Sequence, residues 1–305
     1  MTDKLLSMRD AIERFVPNGS TVLMCAGLES LIPFAAGHEI IRRGRRDLTL
    51  VGPISDILFD QLIGAGCARK VIAAWVGNVS AGLGHNYRRA AEKGIPHRIE
   101  IQDHSNFSLA LALHAGALGI PFIPTKTLLG SDLLKTNPTL REWAAPWSGE
   151  RLILVTSLQP DVAILHVQRA DASGAAHCWG NLGVSVEAAL ASKRVILTAE
   201  EIVEPEVIRS DPNRVLVPPF KIHAVVHDPY GAHPSPVQGS YDRDHDFFHQ
   251  YHMESRTAEG FAAWTRKWIL DLPDHAAYLE RLGEERLASL EVKEHRWAAP
   301  VDYGY

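Results

Sequence analysis

A recurring unit constrains this chain more than any other feature: a short apolar, β-branched run, a glycine-containing turn, then a stretch with helical spacing. The apolar runs are Thr21–Cys25, Leu48–Val51, Lys70–Trp75, Ile99–Ile101, Leu152–Ser157, Val162–Val167 and Arg194–Ala199. Helical spacing occupies Met8–Phe15, Leu31–Arg43, Asn106–Ala117 and Val184–Ala191. This alternation predicts an α/β fold with an open, mainly parallel sheet. Because the strands are apolar through most of their length, helices are expected to cover both faces. Asp242–Leu290 reads as a helical C-terminal region broken at Leu272-Pro273. Pro124–Glu150 is the most loop-like stretch, punctuated by Gly130, Asn137-Pro138 and Pro146, and reads as an insertion or a lid.

At 305 residues, with 46% hydrophobic residues and 22% charged, the chain can bury a large core. Net charge of -5 and a pI near 6.3 give no footprint for nucleic acid or an anionic membrane. The basic run Arg42-Arg43-Gly44-Arg45-Arg46 fits a helix C-terminus favoured by the helix dipole. No long uncharged apolar stretch suggests a membrane span or a leader, so a cytoplasmic location is expected. Cys25, Cys67 and Cys178 are too widely spaced for a zinc knuckle and odd in number, so neither a disulfide framework nor a metal site is expected.

Several constellations carry chemical potential. In Cys25-Ala26-Gly27-Leu28-Glu29-Ser30, small residues after a strand permit close approach, and Ser30 is placed to cap the next helix. A helix N-terminus following a parallel strand is a seat for carboxylate or phosphate. Gly77-Asn78-Val79-Ser80-Ala81-Gly82-Leu83-Gly84 forms a polar loop after another strand, without the spacing of a dinucleotide fingerprint or the lysine of a phosphate-binding loop. Glu100, Asp103 and His104 lie close in sequence and offer acid-base groups, while Asp103 or Ser105 can cap the helix that begins near Asn106. His245, His249 and His252 share one helical face, but without the His-Glu-x-x-His pattern of a metal helix. Glu200-Glu201 closes the Arg194 strand. Neighbouring strand residues point to opposite faces, and the bulky Ile202-Val203 that follows favours packing over an oxyanion loop, so the pair reads as structural rather than nucleophilic.

In order and spacing, these segments resemble the alpha chain of family I coenzyme A transferases, in the branch containing glutaconate CoA-transferase. The resemblance spans roughly residues 5–283. Its marks are Asn18-Gly19 with Val22-Leu23-Met24 and Pro33, then Ser105-Asn106-Phe107 and Ala115-Gly116-Ala117-Leu118-Gly119-Ile120-Pro121-Phe122. Pro160-Asp161-Val162-Ala163-Ile164-Leu165-His166, Arg169-Ala170-Asp171-Ala172-Ser173-Gly174, Val195 to Val203 and Gly231-Ala232-His233-Pro234 follow. One departure is Cys25-Ala26-Gly27 where the family usually reads Gly-Gly-Phe, which alters the expected acyl pocket.

The resemblance implies transfer of CoA between an acyl-CoA and a free carboxylic acid by ping-pong chemistry. The nucleophilic glutamate would sit on a homologous beta subunit, in a Ser-Glu-Asn-Gly type motif that this chain lacks. It also implies a heterotetramer or higher assembly, and coenzyme A as a substrate with no bound cofactor. Residues 1–283 would form the alpha-chain domain, with 284–305 as a tail. Gly27, Ser30, Gly77, Asn78, Ser105 and Asn106 are the expected substrate-binding residues. Two alternatives accompany this reading. A ring-opening hydrolase subunit of the same fold would draw on Glu100, Asp103 and His104. A non-catalytic ligand-binding or regulatory subunit would need none of them.

Overall fold

A computed structural model describes residues 3–292. Helix α1 (Met8–Phe15), capped by Ser7, leads into β1 (Thr21–Leu23). The chain continues through α2 (Phe34–Arg42), β2 (Leu48–Ile54), α3 (Ile57–Gly64), β3 (Ala68–Trp75), α4 (His85–Lys93), β4 (Glu100–Asp103) and α5 (Asn106–Leu118). A smaller unit follows: β5 (Phe122–Thr125), α6 (Leu133–Thr136), β6 (Leu140–Ala144) and β7 (Arg151–Thr156). The chain then returns to the large sheet with β8 (Val162–Ala170), β9 (Ala176–His177), α7 (Ser185–Ala191), β10 (Arg194–Ile202), α8 (Pro205–Arg209) and β11 (Ala224–His227). Helices α9 (His245–Glu254), α10 (Ala258–Thr265), a π-helical turn (Arg266–Leu270), α11 (His275–Leu282) and α12 (Glu284–Leu290) complete it.

The large sheet has the order β11-β10-β8-β1-β2-β3-β4, parallel throughout, with the short β9 added antiparallel to β8. Its central strands are buried on both sides because alternate residues serve different cores, while the edge strand β4 is mostly exposed. Val22, Leu50 and Ile164 pack with α1, α2, α3 and the C-terminal helices, while Leu23, Val51 and Leu165 pack with α5 and α7. The open, mainly parallel sheet and helical C-terminal region agree with the sequence. No helix among the described residues is long and apolar enough to cross a membrane.

Three expectations need correction. Leu152–Ser157 is not a strand of the parallel sheet: β7 pairs antiparallel with β5 and β6 in a separate three-stranded sheet. Its inward residues Ile153 and Val155 pack with Ala112 of α5, while its outward ones stay half-exposed. The same sheet replaces much of the expected loop at 124–150, since Leu140–Ala144 gains a full ladder with β7. The segment expected as a tail begins with α12, whose Arg286 grips Asp244 through two contacts of 2.5 and 2.7 Å. The part of that tail beyond residue 292 lies outside the described residues.

Candidate active site

The carboxyl ends of β1, β2 and β3 meet at one edge of the sheet, the place where open α/β folds collect ligands. After β1 the backbone turns through Cys25 (φ 62°), Leu28 (φ 66°) and Leu31 (φ 56°), three non-glycine residues in the left-handed region. After β2 comes Asp56 (φ 47°). Left-handed conformations at non-glycine residues cost energy and persist only where their surroundings fix them, which marks this edge as a built feature. Gly27 fits for a steric reason: a Cβ there would lie 2.6 Å from the Ser30 carbonyl oxygen.

Asp56, just after β2, ties that strand end to the β3 loop and has no sequence signal of its own. It is fully buried, and its Oδ1 accepts the Val79 N–H at 3.1 Å. Its Oδ2 accepts from Arg243 Nη2 at 2.5 Å. Arg243 Nε donates to Ser80 Oγ at 3.1 Å, and the guanidinium lies 3.7 Å over the Phe248 ring. Burial pushes the Asp56 carboxyl up to about 6, against the pull of Arg243 and the Val79 N–H. The β1 loop closes onto the same point, because Cys25 Sγ lies 3.8 Å from the Ser55 carbonyl. Burial holds the Cys25 thiol well above its ordinary range, and the charge of Asp56 adds to this, so Cys25 is a packing residue rather than a nucleophile.

Of the six expected binding residues, four lie on the loops that follow β1 and β3. Gly27 and Ser30 share the β1 loop, and Gly77 and Asn78 share the β3 loop. All four are buried, and the Ser30 and Asn78 side chains turn inward to hold their own loops. Ser30 does not cap α2: its hydroxyl donates to the Gly27 carbonyl at 3.3 Å, and Leu31 in the left-handed region delays the helix to Phe34. Asn78 is fully buried, donates to the Phe248 carbonyl at 2.8 Å and accepts the Ser80 and Ala81 N–H groups. Its amide fixes the loop, so the loop's exposed backbone and Val79 form the surface there. Ser105 and Asn106 follow the edge strand β4. Ser105 forms a capping box with Ser108, and Asn106 is exposed in the first turn of α5.

The expected acid-base trio disperses. Glu100 and Asp103 both lie exposed on β4 but three residues apart, so they face opposite sides, and Glu100 pairs with Lys70 at 2.6 Å. His104 is buried between Gln102 and Ser108, and burial lowers it to about 4. These three groups form no common acid-base site. The three helical histidines also part: His245 lies 3.2 Å from Ser80 Oγ, and His252 packs on the His85 ring at 4.6 Å. Among the described residues no three His, Cys, Asp or Glu side chains converge on a metal position.

Glu200 is the other carboxylate at a strand end, and it is fully engaged. Oε1 accepts from His166 Nε2 at 2.6 Å and Tyr241 OH at 2.7 Å, and Oε2 accepts the Tyr230 N–H at 2.7 Å. Burial raises this carboxyl, but His166 and the two tyrosine contacts outweigh it and hold Glu200 below its ordinary value. Glu201, next along β10, is exposed.

Comparison with known proteins is consistent with this geometry. The coenzyme A transferase family model matches residues 5–228. The chain is 44% identical over 281 residues to the alpha chain of 3-oxoadipate CoA-transferase of Pseudomonas knackmussii, covering 92% of this chain and 99% of that one. It is 35% identical to the corresponding chain of glutaconate CoA-transferase of Acidaminococcus fermentans, covering 95% of each. A crystal structure of glutaconate coenzyme A-transferase from that organism superposes with a TM-score of 0.90, covering 95% of this chain and 96% of the other.

Proposed function

The chain belongs to the coenzyme A transferase family as the alpha chain of a heteromeric transferase, and from that premise we propose a two-stage CoA transfer between an acyl-CoA and a free dicarboxylic acid. The observation that carries the substrate class is near end-to-end similarity to two proteins whose names specify dicarboxylates, 3-oxoadipate and glutaconate. In the first stage a glutamate oxygen of the beta partner attacks the thioester carbonyl, giving a mixed anhydride and releasing CoA thiolate. The thiolate then attacks the glutamyl carbonyl, freeing the first acid and leaving a glutamyl-CoA thioester. The second acid reverses both steps and regenerates the carboxylate.

This chain's share is the wall of the acyl pocket at the β1–β3 edge, with Gly27 and the Gly77–Ser80 loop against the substrate. Its own buried strand-end carboxylates support a nucleophile from elsewhere: Glu200 has three donors on its two oxygens, and Asp56 is clamped by Arg243. Coenzyme A acts as substrate, the assembly is a heterotetramer or higher, and the site of action is the cytoplasm. The hydrolase alternative draws no support from β4, where Asp103 is exposed and His104 is sealed.

The test is reconstitution. The chain purified alone should give no detectable CoA transfer, and adding the beta partner should give turnover with 3-oxoadipate or glutaconate as acceptor. Turnover by this chain without a partner contradicts the reading. Equal rates with monocarboxylic acceptors contradict the dicarboxylate assignment.

A further inference from the structure

The amino-terminal side of the sheet, away from the β1–β3 edge proposed for transfer, carries a cavity of about 360 Å³. It opens where Arg46 precedes β2, Ala65 precedes β3 and Ile95 precedes β4, and α10 with the π-helical turn forms its far wall. Its volume falls in the lower range of small-ligand pockets. The lining is apolar, from Ile41, Phe261, Ile95 and Leu270, the last two substantially exposed at the lip. Gly64 lets the far wall come close, since a Cβ there would lie 2.5 Å from the Phe261 ring.

The charge at this cavity is one-sided. Arg46, Arg89 and Arg266 line it, and no Asp or Glu does. Arg46 donates to the Ala65 carbonyl, and Arg89 to the carbonyls of Ser255 and Arg256. Among the described residues none of the three forms an ion pair with a carboxylate, Arg46 and Arg89 being held by backbone carbonyls and Arg266 being exposed. The buried Asp60, held by Tyr251, Asn86 and the Tyr87 N–H, feels the Arg89 charge without pairing with it. A π-helical turn at the wall adds a feature that recurs at functional sites.

We infer that this cavity binds an amphipathic carboxylate, its hydrocarbon tail among Ile41, Phe261 and Leu270 and its carboxylate at the guanidinium rim. A route to the transfer site exists, because α4 both supplies Asn86 and Arg89 to the cavity and follows directly from the Gly77–Gly84 loop. The site is thus suited to regulation by an amphipathic monocarboxylate, distinct from the dicarboxylic acids proposed as substrates.

The test uses the assembled enzyme and equilibrium dialysis of radiolabelled hexanoate in saturating dicarboxylate, which occupies the transfer site. One saturable site per copy of this chain is expected. Ala262→Trp, which fills the cavity, and Arg266→Glu, which reverses a rim charge, should each weaken hexanoate binding at least tenfold. Both should leave the transfer rate without hexanoate unchanged. Arg266 is exposed, so the second variant tests the charge even where the first fails to fold. Unchanged binding in Arg266→Glu, displacement by hexanol or inorganic phosphate as effective as by hexanoate, or loss of the site on assembly with the partner would each overturn the inference.

Discussion

Two buried carboxylates end strands of the same sheet and respond to burial in opposite ways. Glu200 meets three donors and is held below its ordinary value; Asp56 meets Arg243 and one N–H and is pushed up to about 6. Desolvation is the largest influence on both, so the number and quality of donors decides the direction. Glu200 therefore stabilises the fold when ionised. Asp56 costs stability when ionised, and it also sits in the left-handed region among other strained residues. A group kept at a cost to stability belongs to the working edge, and one that repays its burial belongs to the frame.

The largest break in this comparison is Glu200→Ala. It strands the His166 ring and the Tyr241 hydroxyl in the interior and should lower unfolding free energy by about 3–5 kcal/mol in urea titration. Next is the pH dependence, where the two sites should differ in sign. The raised value of Asp56 means its contribution is fully present below the unfolded value of 3.8 and is lost as pH rises through about 6. Asp56→Asn should thus gain on the wild type across that window by roughly 3 kcal/mol or less, each unit being about 1.4 kcal/mol. Glu200→Gln should do the reverse. Its deficit is fully present above the ordinary value of 4.5 and disappears as pH falls through the lower folded value. Parallel pH profiles for the two variants would erase the distinction.

A smaller effect sharpens the functional side. Asp56→Asn loosens the hold on Val79 and Arg243, so the assembled enzyme should lose roughly tenfold in transfer rate while its stability at neutral pH does not fall. Loss of stability without loss of rate would return Asp56 to the frame. The smallest effect is expected of the exposed neighbour: Glu201→Gln should change stability by less than about 0.5 kcal/mol and leave turnover intact.

The same contrast tracks what the sequence reveals. Val162–Val167 and Arg194–Ala199 are legible because strands buried on both faces are apolar without interruption. The three-stranded sheet is not, since β5 is half-exposed and contains Pro124, and its pairing with β7 spans the intervening loop. Asp56 is hidden because Gly52-Pro53 looks like the end of the Leu48 strand, whereas β2 continues to Ile54 and pairs it with Trp75. The clasp by Arg243 comes from 187 residues away and leaves no local pattern. The loops bearing Gly27, Ser30, Gly77 and Asn78 are legible as loops at strand ends, but not the inward use of the Ser30 and Asn78 side chains, which depends on φ at Leu31 and on contact with α9.

On the proposed reading, this chain frames the transfer site and the reacting carboxylate comes from its partner. Incubating the assembled enzyme with acyl-CoA alone, trapping the covalent intermediate and mapping it by peptide mass spectrometry tests this most directly. A CoA-derived adduct is expected on a glutamate of the beta partner and none on this chain. An adduct on Glu200, Glu201 or Asp56 would contradict it.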